Sequence, residues 1–189
     1  MRLLLRGITA GVIVLVLSGA GSAGDRESAS ASRLTLEQAR AFEDHPLYFA
    51  GTRVEGFPLV AVLRRADTAD FVSFVYGDCM AADDMGCVPP IEIQVWPACR
   101  RHLGLYRDIP SFAGPTMEPM TIRGVPAAVF DDGIRLELQT GRATVVVFAE
   151  SRARLGRIAG ALRSLDAPAS RGGALAAPVA GSLEGELDC

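Results

Sequence analysis

From residue 91 to 96 the chain alternates strictly: Ile91, Ile93 and Val95 fall between Glu92, Gln94 and Trp96. Side chains of a strand point to opposite faces in turn, so this pattern predicts a strand with one face buried. Residues 71–76 are apolar at nearly every position, which predicts a central strand covered on both faces. Residues 57–64 are mostly apolar and carry β-branched Val60 and Val62. Short extended pieces are expected at 120–123 and 125–130. After an Asp131-Asp132-Gly133 turn, Leu136 and Leu138 alternate with Arg135, Glu137 and Gln139, and a Thr140-Gly141-Arg142 turn leads into 143–149. The span 125–149 therefore predicts an antiparallel meander.

Helical spacing occurs twice. Thr35 can cap a short helix over 36–43, with Gln38 completing a capping box and Glu37 placed well against the helix dipole. His45-Pro46 should end it, because the residue before a proline is pushed out of helical geometry. Ser151 caps a second helix, in which Leu155, Ile158, Ala159, Leu162 and Leu165 form one apolar stripe that can cover a sheet. Arg152, Arg154, Arg157 and Arg163 lie mostly off that stripe and are expected to form a solvated face. Gly156 and Gly160 are expected to let the helix pack closely on the sheet. The fold class is thus α+β: an antiparallel sheet with a C-terminal helix on one face and a disulfide-stapled loop.

The two ends follow other patterns. Arg2 and Arg6 precede an uncharged stretch, 12–17 is continuously apolar, and 18–24 is all small residues. That order predicts a signal peptide or membrane anchor over 1–23, with small-residue cleavage sites near Ala20 and Ala23. A retained leader would tether the chain to a membrane. Residues 24–34 predict a flexible linker, 35–166 the extracytoplasmic domain, and 167–189, rich in Ala, Gly, Pro and Ser, a disordered tail.

Net charge is −3, and leader cleavage would leave 17 of the 19 basic residues against 22 acids, a mature charge of −5. That balance argues against nucleic acid, which rewards a clustered basic surface. Every basic residue is Arg, and both Lys and Asn are absent. A GC-rich genome accounts for both omissions, and without Asn there is no N-glycosylation sequon.

In an exported chain, Cys79, Cys87, Cys99 and Cys189 are disulfide candidates. Antiparallel pairing of 71–76 with 91–96 would place Cys79 and Cys87 in one connecting loop and Cys99 at the far end, near Thr68. Cys79 with Cys87 is therefore the preferred local bridge, leaving Cys99 for Cys189 or for another molecule. The loop also holds Met80, Asp83, Asp84 and Met85. Thiolate and thioether would suit a soft metal, but the loop has no Cys-x-x-Cys and no His, so a structural loop is expected and no cofactor is assigned.

No Gly-x-Ser-x-Gly elbow, His-Glu-x-x-His motif or Gly-rich phosphate loop occurs. His102, beside Arg100 and Arg101, is the best candidate base, yet nothing in sequence sets a nucleophile beside it. Trp96, on the polar side of its strand, either marks a binding surface with Arg100, Arg101 and His102 or is covered by the Leu103–Tyr106 segment.

The run Arg123-Gly124-Val125-Pro126-Ala127-Ala128-Val129-Phe130, the Asp-Asp-Gly turn, two further strands and the closing helix together resemble the C-terminal unit of uncharacterised secreted or envelope domains of Gram-positive, high-GC bacteria. Leu136 and Leu138 stand in the strand where many of those domains have Trp. The resemblance implies an envelope protein and assigns no functional residue. The expectation is an exported, non-catalytic envelope or secreted module whose partner is an envelope protein, a cell-wall component or a small ligand. The alternatives are an enzyme with an unrecognised site, and a redox or metal protein using Cys79, Met80, Met85 and Cys87.

Overall fold

The computed structural model describes residues 31–66, 69–78, 88–107, 116–166 and 174–189. Within them the chain runs through β1 (Ser32–Leu34), α1 (Leu36–Arg40), β2 (Tyr48–Phe49), β3 (Arg53–Val54), β4 (Phe57–Arg65), β5 (Phe71–Tyr76) and β6 (Ile91–Pro97). It continues through β7 (Glu118–Ile122), β8 (Val125–Phe130), β9 (Arg135–Thr140), β10 (Ala143–Ala149), α2 (Arg152–Ala161) and β11 (Arg163–Ser164). The class is α+β, mostly antiparallel sheet with one C-terminal helix.

Two meanders make the main sheet. Strands β4, β5 and β6 pair in sequence, and so do β7, β8, β9 and β10. They join where β6 lies against β10, Ala143 opposite Pro97 and Ala149 opposite Ile91. In the expected pairing of β5 with β6, Tyr76 faces Ile91 and Val72 faces Val95. The sheet order is β1-β4-β5-β6-β10-β9-β8-β7, with β3 hydrogen-bonded beside β4.

This register sorts the side chains by face. Val72, Phe74, Ile93, Val95, Val145, Val147, Leu136 and Leu138 lie on one side and are buried. α2 covers that side with Leu155, Ile158, Ala159 and Leu162, as its stripe predicts. Burying each of its Leu and Ile side chains contributes roughly 1.5–3 kcal/mol. The opposite face carries Ser73, Glu92, Gln94, Glu137, Gln139 and Thr144. It is buried over Glu137, Gln139 and Thr144, with a small apolar cluster of Leu103, Ala128 and Phe130 beside them.

Several expectations change. α1 has the capping box of Thr35 and Gln38 but ends at Arg40. Phe42 turns inward instead, edge-on to the His45 ring at 4.9 Å and beneath the Arg64 guanidinium at 5.0 Å. Residues 32–34, expected in a flexible linker, pair as an edge strand with Val62, Leu63 and Arg64. Gly156 and Gly160 are exposed on α2, and a Cβ on either would meet no atom within 4 Å, so close packing on the sheet is not their role. The off-stripe arginines are not merely solvated: Arg152 pairs with Glu118, Arg154 with Glu150 at 2.9 Å, and Arg157 with Glu55 at 2.8 Å.

The largest correction concerns the tail. Residues 174–189, expected to be disordered, lie as a strap along one end of the sheet. The Leu175 amide donates to the Arg123 carbonyl, Gly141 and Val179 bond backbone to backbone, and the Gly104 amide donates to the Leu183 carbonyl at 3.0 Å. Thr140 Oγ1 donates to the Ala176 carbonyl at 2.8 Å, and the Gln139 amide donates to the Ser182 carbonyl. The fit is close enough to demand glycine. A Cβ on Gly185 would overlap the His102 ring, and one on Gly104 would overlap the Leu183 carbonyl. The strap ends in the Cys99–Cys189 disulfide, whose Cα atoms are 5.7 Å apart. Cys79 with Cys87, and the Met80 to Met85 segment between them, lie outside the described residues, as do 1–30 and 167–173.

Candidate functional site

Where β6 ends and the strap arrives, a cleft of about 490 Å3 opens. Its wall comes from five stretches of chain: Asp44 and His45 after α1, Asp70 before β5, Cys99 and Arg100 after β6, Arg142 in the β9–β10 turn, and Asp188 and Cys189 of the strap. The size suits a small ligand or a protruding group of a larger one.

The charges around it divide into two sets. Arg64 holds both acids of one wall, 2.7 Å from Asp44 and 3.6 Å from Asp70. Arg100 and Arg142 make no ion pair with any described residue, so two guanidinium groups remain available to a carboxylate or phosphate. Asp188 of the strap adds a third acid, so the cleft presents both acceptors and donors. Its lining has no hydroxyl nucleophile, and its two sulfurs are joined in the disulfide.

His45 sits at the back of the cleft and is buried. One ring nitrogen, Nε2, lies 3.2 Å from the Val95 carbonyl, so it carries the proton and donates. Nδ1 has no partner among the described residues. Burial holds the imidazole pKa below its ordinary 6.5, against the opposing influence of the Val95 carbonyl and of Asp70 and Asp44. The unfolded chain takes up the proton first, so this group's contribution is complete above pH 6.5 and is lost as pH falls below it. Urea midpoints measured between pH 7.5 and 5 should therefore fall on acidification, and His45→Gln should flatten that fall. A profile identical in both proteins would remove His45 as the cause.

The four residues singled out from sequence take different places. Arg100 faces the cleft. Trp96 is half-buried and stacked on Phe71 at 4.3 Å, with the Arg101 guanidinium 5.2 Å from its ring centre and its indole N–H donated to Gln94. The Leu103–Tyr106 segment packs on Ala128 and Phe130, and Arg101 reaches both the Trp96 ring and the Tyr106 hydroxyl. His102, expected on the surface, is partly covered by the strap, with Nδ1 3.1 Å from the Leu183 carbonyl.

Arg101 turns inward to Glu137, whose side chain is fully buried. Two guanidinium nitrogens bond the two carboxylate oxygens, Tyr106 donates to the same carboxylate at 3.1 Å, and Arg135 approaches within 3.5 Å. Burial works against the charge on Arg101, but the hydrogen bond and charge of Glu137 prevail and raise its pKa. Burial and the nearby Glu137 charge push the Tyr106 hydroxyl up to about 12. This network fastens the 98–107 segment to the second face of the sheet.

Asp44, His45, Asp70 and Arg142 belong to the cleft but could not be grouped from sequence. They come from separate connections, and only the β6–β10 pairing brings the last of them beside Cys99. The His45-Pro46 break was the one local signal. Among the described residues no three His, Cys, Asp or Glu side chains are grouped to hold a metal, and no helix is long and apolar enough to cross a membrane. In comparisons with known proteins, no family model matches the chain, and no similar curated protein or solved structure was found.

Proposed function

We propose that the chain is an exported, non-catalytic module of the cell envelope or secreted fraction. It binds an envelope protein, a cell-wall component or a small ligand through the cleft beside Cys99–Cys189. The observation that carries this reading is the disulfide in the cleft wall. Such bonds persist in oxidising compartments outside the cytoplasm, and the leader-like pattern of residues 1–23 agrees with that address. Binding rather than catalysis is supported by a lining that sets acids held by Arg64 beside arginines without ion pairs and offers no hydroxyl or free thiol.

The test is recovery of ligands from envelope extracts on immobilised protein, comparing the native chain with an Arg100→Ala, Arg142→Ala double variant. Both arginines are exposed, so the variant should keep its melting temperature. The native chain should retain a specific ligand, and the variant should lose it by roughly tenfold or more, as befits removal of charged hydrogen bonds. Equal recovery by both proteins, or none by either, would remove the support for a binding role at this cleft.

A further inference from the structure

A second pocket, of about 440 Å3, shares no residue with that cleft. It lies between the loop over 50–55 and the last turn of α2. Arg53, Arg157 and Arg163 line it against a single acid, Glu55, leaving a local surplus of two positive charges in a chain of net charge −3. The acid is held, with Arg157 at 2.8 Å. Arg53 donates to the Gly56 carbonyl at 2.6 Å. The Arg163 guanidinium makes no hydrogen bond or ion pair with a described residue and is set over the Phe49 ring, 4.9 Å from its centre. An arginine stacked in this way is oriented in advance, with its donors still open.

The backbone makes room for these groups. Gly51 has φ +95°, and a Cβ there would stand 3.1 Å from Arg163 Nη2. The loop itself is pinned from below by the buried Tyr76 hydroxyl, which donates to the Gly51 carbonyl and accepts from the Ala50 amide. Gly160 also lines the pocket. Glycine is unfavourable inside a helix, and packing does not require it here, since its missing Cβ would meet nothing. Its effect is to leave that wall of the pocket bare. The negative end of α2 would oppose an anion, but Arg123 donates to the carbonyls of Ala159 and Leu162 and offsets it.

We infer that this pocket binds a phosphate monoester. Such a group carries nearly two negative charges at pH 7, which matches the surplus, and its oxygens accept the paired donors of guanidinium forks. A single carboxylate would leave one positive charge unanswered. The phosphate could be carried by a small soluble ester or by a lipid headgroup, and both present the same dianion.

The experiment is calorimetric titration of the full chain with inorganic phosphate and with glycerol phosphate. A parallel flotation assay uses phosphatidylcholine vesicles with and without phosphatidic acid. Two variants are compared, Arg163→Gln and Gly160→Leu. The second keeps every guanidinium and fills the open wall, so it reports on the pocket even if the first disturbs folding. Saturable, salt-sensitive binding is expected, weakened roughly tenfold or more in both variants. Binding of the soluble probes identifies a soluble ester as a sufficient source, and binding only to phosphatidic acid vesicles identifies the headgroup. No saturable binding to any probe below about 10 mM, or binding that Gly160→Leu leaves unchanged, overturns the assignment.

Discussion

Replacing Cys99 and Cys189 together by serine is expected to destabilise the chain by about 4.6 kcal/mol, the loss that loop-closure entropy gives for a cross-link of this length. The two cysteines are 90 residues apart, so the bond closes a loop running from the end of β6 through the second meander, α2 and the strap. The loss should be unevenly spread. The strap has few apolar anchors, Leu175 being its buried hydrophobic residue, and otherwise depends on hydrogen bonds to Gly104, His102, Gln139, Thr140 and Gly141. Without the covalent tie it should open as a local unit while the sheet persists. Urea unfolding gives the first quantity, and hydrogen exchange at residues 176–186 gives the second. A serine variant within about 1 kcal/mol of the native chain, with its strap amides still protected, would show that the hydrogen bonds suffice.

Glu137→Ala should be comparably damaging, at about 3–5 kcal/mol, because it leaves Arg101 charged and largely enclosed without its counter-ion. Tyr106 loses an acceptor in the same step, so the segment after β6 should loosen from Ala128 and Phe130. The pair should nevertheless be replaceable. A Glu137→Leu, Arg101→Met double variant removes both charges and should recover most of the stability, since burying an ion pair gains little over apolar side chains of similar size. Denaturant unfolding of Glu137→Leu, Arg101→Met and the double variant forms the required cycle. Additive losses would mean that Arg101 and Glu137 do not act as a unit.

Much of the sheet was legible because its strands announce themselves locally. Phe71 to Tyr76 and Val125 to Phe130 are bounded in the structure as their apolar runs suggest, and Ser151 caps α2 where its hydroxyl could first do so. What could not be read was long-range. The pairing of β6 with β10 joins segments about fifty residues apart, and no pattern in either specifies the other. β1 is three residues long and only Leu34 packs on the core, too little for an apolar period. The order of the strap is hidden for a related reason. Its order comes from carbonyls bound by side chains elsewhere and from one disulfide, neither of which leaves a hydrophobic period in its own sequence.

The candidate sites follow the same division. Arg100 and Arg101 stood out together beside Trp96 as a candidate binding surface, but the sequence does not show that Arg101 turns inward to Glu137, a polar position on the alternating strand β9. Only the register of β9 and β10, with the segment folded over them, encloses that pair. Arg163 resembled one more arginine of a solvated helix face. Its place over Phe49 depends on β11 pairing with β2, a two-residue contact that sequence does not signal.

The central claim is an exported domain closed by Cys99–Cys189, and intact mass with non-reducing peptide mapping tests it most directly. Protein should be recovered from the envelope and medium of its native cells, with thiols blocked at lysis. The account predicts a chain lacking the leader up to about residue 23, with the Cys99 and Cys189 peptides joined until reductant is added. A full-length cytoplasmic chain with Cys99 and Cys189 both blocked as free thiols would contradict it.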